Sequence, residues 1–464
     1  MENPVRNINL CPTCTPGMTH AEVLTHESAE TCAKLLRENH ADYHIFTTEE
    51  EEKGIYLHNH IVHHDITLWA LGASPSQIET HHKRNTLYQR DPPKREERHV
   101  VQEMSDPEKF KSLLGDEAYY LDFVHFFEQE IQRLGYPAVL QKYLVDEGEV
   151  GMDMLPRMYM GYVHSLMHIG IGLEFKLPAI MAEGFAQAAV HHDYWYTDFL
   201  HRVETDAKRQ EESALPLSAC VEECLKDPVV VHCSSIEYFQ QFENGKFVLR
   251  KEMVRDGVCA NAGKELGRIA ARYRVDPNDL ERATAELINT AVYAAASAQL
   301  PPHECRYDFF LIHGTNSSIW HTSLLEEPSL TNHQKARLLE YTGRVILMLY
   351  ASMGCPKPRL DWLLSQKPKL PVSNWTIIFQ RACLHEDDGH MSKLVRAIAH
   401  AEKVSKPFDH LPEFKVKQDM FLPAAAAALD SGSDRPMDGT IHFDLIRGAA
   451  WPEAWSNIPV RAGW

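Results

Sequence analysis

The chain has 464 residues, 44% of them hydrophobic, which is enough to bury a large core, and it carries a formal net charge of -18. Such a charge repels nucleic acid and anionic lipid, and no basic stripe with interleaved aromatics offsets it. The start, MENPVRNINLCPTCTPGM, lacks the basic and apolar run of a secretory leader, and no stretch approaches the ~20 apolar residues of a membrane span, so a soluble, cytoplasmic protein is expected.

Residues 1–25 read as an N-terminal arm. Its Cys11 and Cys14, the one close pair among ten cysteines, have no second pair or histidine set to complete a zinc site and read as incidental. Helical signals then recur from residue 26 to about 403. Ser74-Pro75-Ser76-Gln77 sets a capping serine, a proline and a glutamine in order, predicting a helix through Tyr88. Residues 226–250 alternate β-branched and aromatic residues around Asn244-Gly245 and predict a hairpin. Asp276-Pro277 predicts the start of a helix closed by Pro301-Pro302. Thr331 and Gln334 predict another that stops at Gly354, with Pro356 beyond. The end, 431–464, is rich in turn formers yet carries tryptophans, and is expected to wrap the body. The fold class is all-α: a large single-domain irregular helical bundle over 26–430, with a minor β-hairpin excursion. No solenoid repeat is present, and nothing in the sequence sets an oligomeric state.

The residues most suggestive of chemistry are His390 and Lys393 in HEDDGHMSKLVRA, which share one helical face at i and i+3. Three further histidines sit in separate apolar segments: His60 in YLHNHIVHHDITLWALGASP, His164 in YVHSLMHIGIGLEF and His313 in FFLIHGTNSSIW. Neutral imidazole is the commonest ligand for divalent iron, copper, nickel or zinc. One histidine in an apolar helix is ordinarily a hydrogen-bonded core residue; four such segments in one chain put a metal site level with that reading. Periodicity does not choose between His60 and its neighbours His58, His63 and His64, or between His164 and His168. A lysine ammonium has no lone pair for a metal. Lys393 therefore either pairs with Asp387, Asp388 or another acid, or is neutral in a dry pocket and captures carbon dioxide as a carbamate.

Other catalytic templates are missing. No GxGxxG follows a strand, so there is no flavin motif, and GxSxG, HExxH and the P-loop are absent. A directly bound metal, or nothing, is left to activate oxygen.

The segments LHNHIVHHDITLWALGASPSQI, YVHSLMHIGIGLEFKLPAIMAEGFAQAA, FFLIHGTNSSIW and DDGHMSKLVRAIAHAE resemble, in order, those of the questin oxidase-like family, over about residues 20 to 430. The resemblance implies an oxygenase that opens a ring of an anthraquinone-type polyketide, formally inserting oxygen beside a carbonyl. It also selects His60 over His58 and His164 over His168. The implied metal set is His60, His164, His313, His390 and Lys393, with His390 and Lys393 central to catalysis. The implied metal is Fe(II), handling dioxygen while a hydroquinone substrate supplies electrons from an apolar pocket. Trp69, Tyr88, Arg90, Asn316 and Trp320 lie in or beside the matching segments and are candidate substrate contacts. The rivals are a Baeyer–Villiger-type monooxygenase drawing on NADPH through a partner reductase, a zinc or nickel hydrolase, and a helical carrier with structural histidines.

Overall fold

The computed structural model describes residues 4–47, 58–92, 100–192, 194–238, 242–243, 246–247, 252–431 and 445–463. The architecture is all-α. Among the described residues the strands are limited to β1, Phe242–Glu243, and β2, Lys246–Phe247, an antiparallel pair with Phe242 opposite Phe247. The hairpin expected over 226–250 shrinks to these two strands, because Asp227 caps a short helix at Pro228–Val231 and Ile236–Tyr238 is a helical turn; the Asn244-Gly245 turn lies outside the described residues. Among the described residues no helix is long and apolar enough to cross a membrane.

The chain forms two compact units, each drawn from three stretches of sequence, which is why no linker is visible in the composition. The first comprises Met1–Thr197, Trp320–Gln334 and Asp388–Lys393. Its main helices are α1 (His26–Asp42), α2 (Ile61–Ala70), α3 (Pro75–Thr86), α4 (Tyr120–Leu134), α5 (Met160–Glu174) and α6 (Pro178–Val190). The α3 start forms the expected capping box: Gln77 N donates to Ser74 Oγ at 3.4 Å, and Ser74 N donates to Gln77 Oε1 at 2.8 Å. The helix stops at Thr86, short of Tyr88.

From Ala179 to Val190 every residue of α6 is buried, the pattern of a helix packed on all sides. Gly184 lets α5 approach closely, because a Cβ there would lie 2.9 Å from Ile169 N. The α4 side is filled by aromatic rings: Phe127 stacks on Phe185 at 5.1 Å, with Phe110, Phe123 and Tyr143 around them. Each such pair contributes about 0.5–1.5 kcal/mol beyond area burial. These contacts fix the helix faces that carry Glu128 and Glu183.

The second unit comprises Asp198–Ile319, Lys335–Asp387 and Leu394–Trp464. It holds α7 (Leu280–Ala296), α8 (Leu311–Ser318), most of α9 (Asn332–Ser352) and of α10 (His390–Ser405), and α11 (Phe421–Ser431). Helix α9 begins and ends where the sequence predicts, with Thr331 N donating to Gln334 Oε1 at 2.9 Å and Gly354 just past its end. Helix α7 starts later than expected. Asp276 accepts from Asn278 N at 2.9 Å and so closes a turn, and the helix begins at Leu280. Helix α11 lies beyond the expected last helix; its alanine run has no periodicity to read, and Pro423 sits in the first turn, where a missing N–H costs little.

Residues 445–463 pack on this unit. Phe309 N donates to Ile446 O at 2.8 Å, Glu304 N donates to Pro459 O at 2.8 Å, and Trp455 is fully buried.

Candidate metal centre

His60 occupies the N-cap of α2, and its place is fixed by Asn59. The Asn59 amide donates to Asn39 Oδ1 at 2.8 Å and to His44 O at 3.2 Å, while its oxygen accepts from Ile61 N at 2.9 Å. His164 follows an interruption in α5 that the sequence does not announce. Gly161, Tyr162 and Val163 all adopt left-handed backbone conformations, with φ of 54, 56 and 70°. For tyrosine and a β-branched valine such backbone costs on the order of 1–3 kcal/mol each. Any Cβ at 161 would meet His191 Cε1 at 2.4 Å and His58 Nε2 at 2.5 Å, so only glycine fits there. The turn brings Gly161 O to within 2.6 Å of His164 Nδ1.

His390 starts α10, and Lys393 lies one turn on. Both are buried, at 2% and 6% exposure. Asp388 is the hub of the group. Its Oδ2 is 3.1 Å from His60 Nδ1, and its Oδ1 accepts from His390 Nδ1. Burial alone would push the Asp388 pKa up, but the charges and hydrogen bonds of His390 and His60 outweigh it and hold the group well below the usual carboxylate range. The His60 pKa is lowered to about 4, first by burial and then by the Lys393 charge, so the ring is neutral near pH 7. The His60 and His164 Nε2 atoms face each other at 2.8 Å, and the His390 ring stands edge-on to His60 at 4.7 Å. His60, Asp388 and His390 can each bring one ligand atom within 4.8 Å of the others.

The tautomers are consistent across the set. His60 and His390 direct Nδ1 to Asp388, and His164 directs Nδ1 to Gly161 O. A ring that donates Nδ1–H to oxygen keeps its lone pair on Nε2, the usual state of a metal-bound histidine. In the second unit His313, on α8, makes the same bond to Phe309 O at 2.6 Å. His168 is different: Nδ1 is 3.0 Å from His63 and Nε2 is 2.7 Å from Glu183, so both its nitrogens are committed. His58 stacks on His164 at 4.0 Å, with Nε2 at 3.2 Å from His191 Nε2.

The structure places the expected substrate contacts variously. Trp69 is fully buried on α2 against Phe175, and its Nε1 has no partner among the described residues. Tyr88 is half-buried, its hydroxyl 3.2 Å from Asn85 Oδ1. The Arg90 guanidinium is taken up by Glu117 at 2.6 Å, His44 Nδ1 at 2.9 Å and Phe46 O at 3.1 Å, a structural clamp. Trp320 is buried with its ring against Gly170. Asn316, one turn after His313 in the second unit, is buried, and both its amide atoms lack partners among the described residues.

Sequence reasoning named Asp388 as a partner for Lys393 and missed its bonds to two imidazoles. It also missed Glu183, although a single acid in the apolar run PAIMAEGFAQAAV was a signal that something basic faces it.

The fold is all-helical, and its imidazole–carboxylate cluster has the geometry to take a cation. The questin oxidase-like family model matches residues 57–398, and the chain belongs to that family. It is 31% identical over 436 residues to the Baeyer-Villiger oxidase ptaJ of Pestalotiopsis fici, covering 93% of this chain and 94% of the relative. It is 32% identical over 436 residues to a questin oxidase of Aspergillus fumigatus, with the same coverage of 93% and 94%. With the Baeyer-Villiger monooxygenase AacuH of Aspergillus aculeatus it shares 31% identity over 455 residues, 93% of this chain and 90% of the relative. The chain is an oxidoreductase.

Proposed function

We propose that this protein is a non-haem iron oxygenase that uses dioxygen to cleave a ring of an anthraquinone-type polyketide in secondary metabolism. The observation that carries the metal part is the tautomer pattern: His60, His164 and His390 each give Nδ1 to an oxygen, which aims the Nε2 lone pairs for a cation. Asp388 orients two of these rings and supplies negative charge beside the cation. In the first unit His60, His164 and His390 would hold the ion. Bound iron would supply the one-electron steps that let dioxygen react with an organic substrate.

Lys393 serves this reading as a carbamate. Its buried ammonium loses one proton to become a free amine, and the amine adds carbon dioxide and loses a second proton, which replaces a cation by an oxygen donor with a negative charge. His168 is a poorer ligand than His164, because both its nitrogens are engaged. The variant His313→Ala, assayed for metal content, assigns the remaining histidine. The substrate is taken from the relatives' names: oxidases of questin, and Baeyer-Villiger oxidases.

A second reading has one observation behind it: AacuH is named a monooxygenase, which calls for an external reductant such as NADPH. The two are separated by single turnover of a reduced anthraquinone with the iron-loaded, untagged protein and no added reductant. Ring-opened product and about one iron per chain support the first reading. Product only when NADPH and a reductase are added supports the second. Stoichiometric zinc with no uptake of dioxygen overturns both.

A further inference from the structure

A line of ionisable groups leads away from the candidate metal centre through five helices of the first unit. His63 Nε2 on α2 is 3.0 Å from His168 Nδ1 on α5, and His168 Nε2 is 2.7 Å from Glu183 Oε2 on α6. Glu183 Oε1 bonds His40 Nδ1 on α1, and His40 Nε2 is 3.1 Å from Glu128 Oε1 on α4. Arg6 clamps Glu128 at 2.8 and 2.7 Å. Side-chain exposure is 1% at His168 and 3% at Glu183, reaches 10% at His40, falls to 2% at Glu128 and is 47% at Arg6, so His40 is the histidine of the line that touches solvent. These groups run in file and do not converge: among the described residues the groups with metal-holding geometry are His60, Asp388 and His390.

The positions of the protons follow from the acceptors. Burial would push the Glu183 pKa up, but the bonds from His168 and His40 outweigh it and hold it at about 2. Burial would likewise depress His40, but Glu128 and Glu183 raise it to about 9, so it is an imidazolium. A carboxylate only accepts, so His168 donates to Glu183 through Nε2. With that proton on Nε2, His168 offers Nδ1 as the acceptor, and His63 donates to it through Nε2. His63 Nδ1 is left with a lone pair. That nitrogen is buried and has no partner among the described residues, and its ring lies 5.8 Å from the His164 ring and 6.1 Å from the His60 ring. A buried acceptor with nothing to accept has lost its water without a replacement, which a ligand O–H would relieve.

We propose that His63, His168, Glu183 and His40 form a proton outlet, in which His63 Nδ1 takes the proton of a phenol on an aromatic substrate and His40 Nε2 releases one to water. The phenol O–H breaks and His63 Nδ1–H forms. The Nε2 proton of His63 moves to His168 Nδ1, and the Nε2 proton of His168 moves to Glu183. Protonation of Glu183 and loss of the His40 Nε2 proton turn the Glu183–His40 anion–cation pair into a neutral pair of the same net charge, and the negative charge left by the departed proton rests on the phenolate. Reprotonation of the product through the same nitrogen resets the line. The inference rests on the oxygenase reading only for the phenolic substrate.

The test uses the metal-free full chain, so it is independent of turnover. Nitrogen-15 NMR of histidine-labelled protein, assigned with His63→Asn, is expected to show neutral His63 and His168 protonated at Nε2; resting His63 protonated at Nδ1 overturns the direction. Addition of a hydroxyanthraquinone without oxygen is expected to produce its red-shifted phenolate absorption. In Glu183→Gln the phenolate fraction should fall at least ~10-fold, and in the milder variant His40→Gln the band should form about 10-fold more slowly, as loss of general-base function predicts. No phenolate band in the wild type, or an equal band in wild type and Glu183→Gln, overturns the outlet. A phenolate band without dioxygen-dependent ring opening supports the outlet and sinks the oxygenase.

Discussion

In the first unit imidazoles meet three carboxylates, Asp388 through His60 and His390, Glu183 through His168 and His40, and Asp65 through His82 at 2.7 Å, although Glu130 is held there by Arg133, Lys142 and the Tyr143 hydroxyl. In the second unit Glu204 and Asp308 are met by groups other than imidazole. Glu204 is held by Arg337 at 2.8 Å and by the Tyr341 hydroxyl at 2.6 Å, and Asp308 accepts from the backbone N–H groups of Phe310, Leu311, Gly448 and Ala449. Guanidinium, phenol and amide keep their protons near neutral pH, whereas imidazole exchanges one there. The polar groups of the second unit therefore fix geometry, pinning the segment from Gly448 to the start of α8. Those of the first can hold a cation or pass a proton.

The largest effect is expected where a fixed partner is removed. Arg337→Met leaves the Glu204 carboxylate buried beside Tyr341 and should destabilise the protein by about 3–5 kcal/mol in urea titration. The iron bound per folded molecule should not change; a loss of iron in step with stability would erase the division between the units. Next comes His40→Gln. The folded-state pKa of His40, about 9, lies above the ordinary 6.5, so its stabilisation is complete below pH 6.5 and is lost as pH rises through 9. Wild type should lose up to about 3 kcal/mol across that window, and the variant should start lower and lose less. Parallel pH curves for the two would show that His40 is not held as an imidazolium. Asp388→Asn comes third: with a carboxamide in place of the shared acceptor, iron affinity should fall about 10–100-fold, with melting little changed. Unaltered affinity by metal titration would remove Asp388 from the site.

How far these features could be read beforehand depends on how local their causes are. The all-α class and the starts of α3 and α9 follow from capping residues within four positions, and the sequence shows them. His60, His164, His390 and Lys393 stood out as polar residues in apolar segments, and the resemblance chose among the runs. The left-handed turn at Gly161–Val163 was not legible, because His58 and His191, distant in sequence, are what leave room for no side chain at 161. Glu183 could be noticed in its apolar helix, but its partners on α1 and α5 exist only once Gly184 has let the helices close. Asp388 stands two residues from His390, and only the fold brings His60 to its other oxygen.

The smallest effect tests the second unit on its own terms. Glu286 is buried on α7 and accepts from Ser218 N at 3.1 Å and from the Thr290 hydroxyl at 3.0 Å, with no direct cationic partner among its described hydrogen bonds. Burial outweighs those two donors and raises its pKa from 4.5 to about 7. The sign is therefore that of a carboxylate the fold prefers protonated: stability is greatest below pH 4.5 and falls as pH rises through 7. Glu286→Gln keeps an acceptor oxygen for both donors and removes the charge. It should match wild type near pH 5 and exceed it by about 1 kcal/mol at pH 6, read from urea midpoints at the two values. A variant less stable than wild type at pH 6 would mean that Glu286 is held as an anion, and that the second unit too keeps charge for a purpose other than fixing its shape.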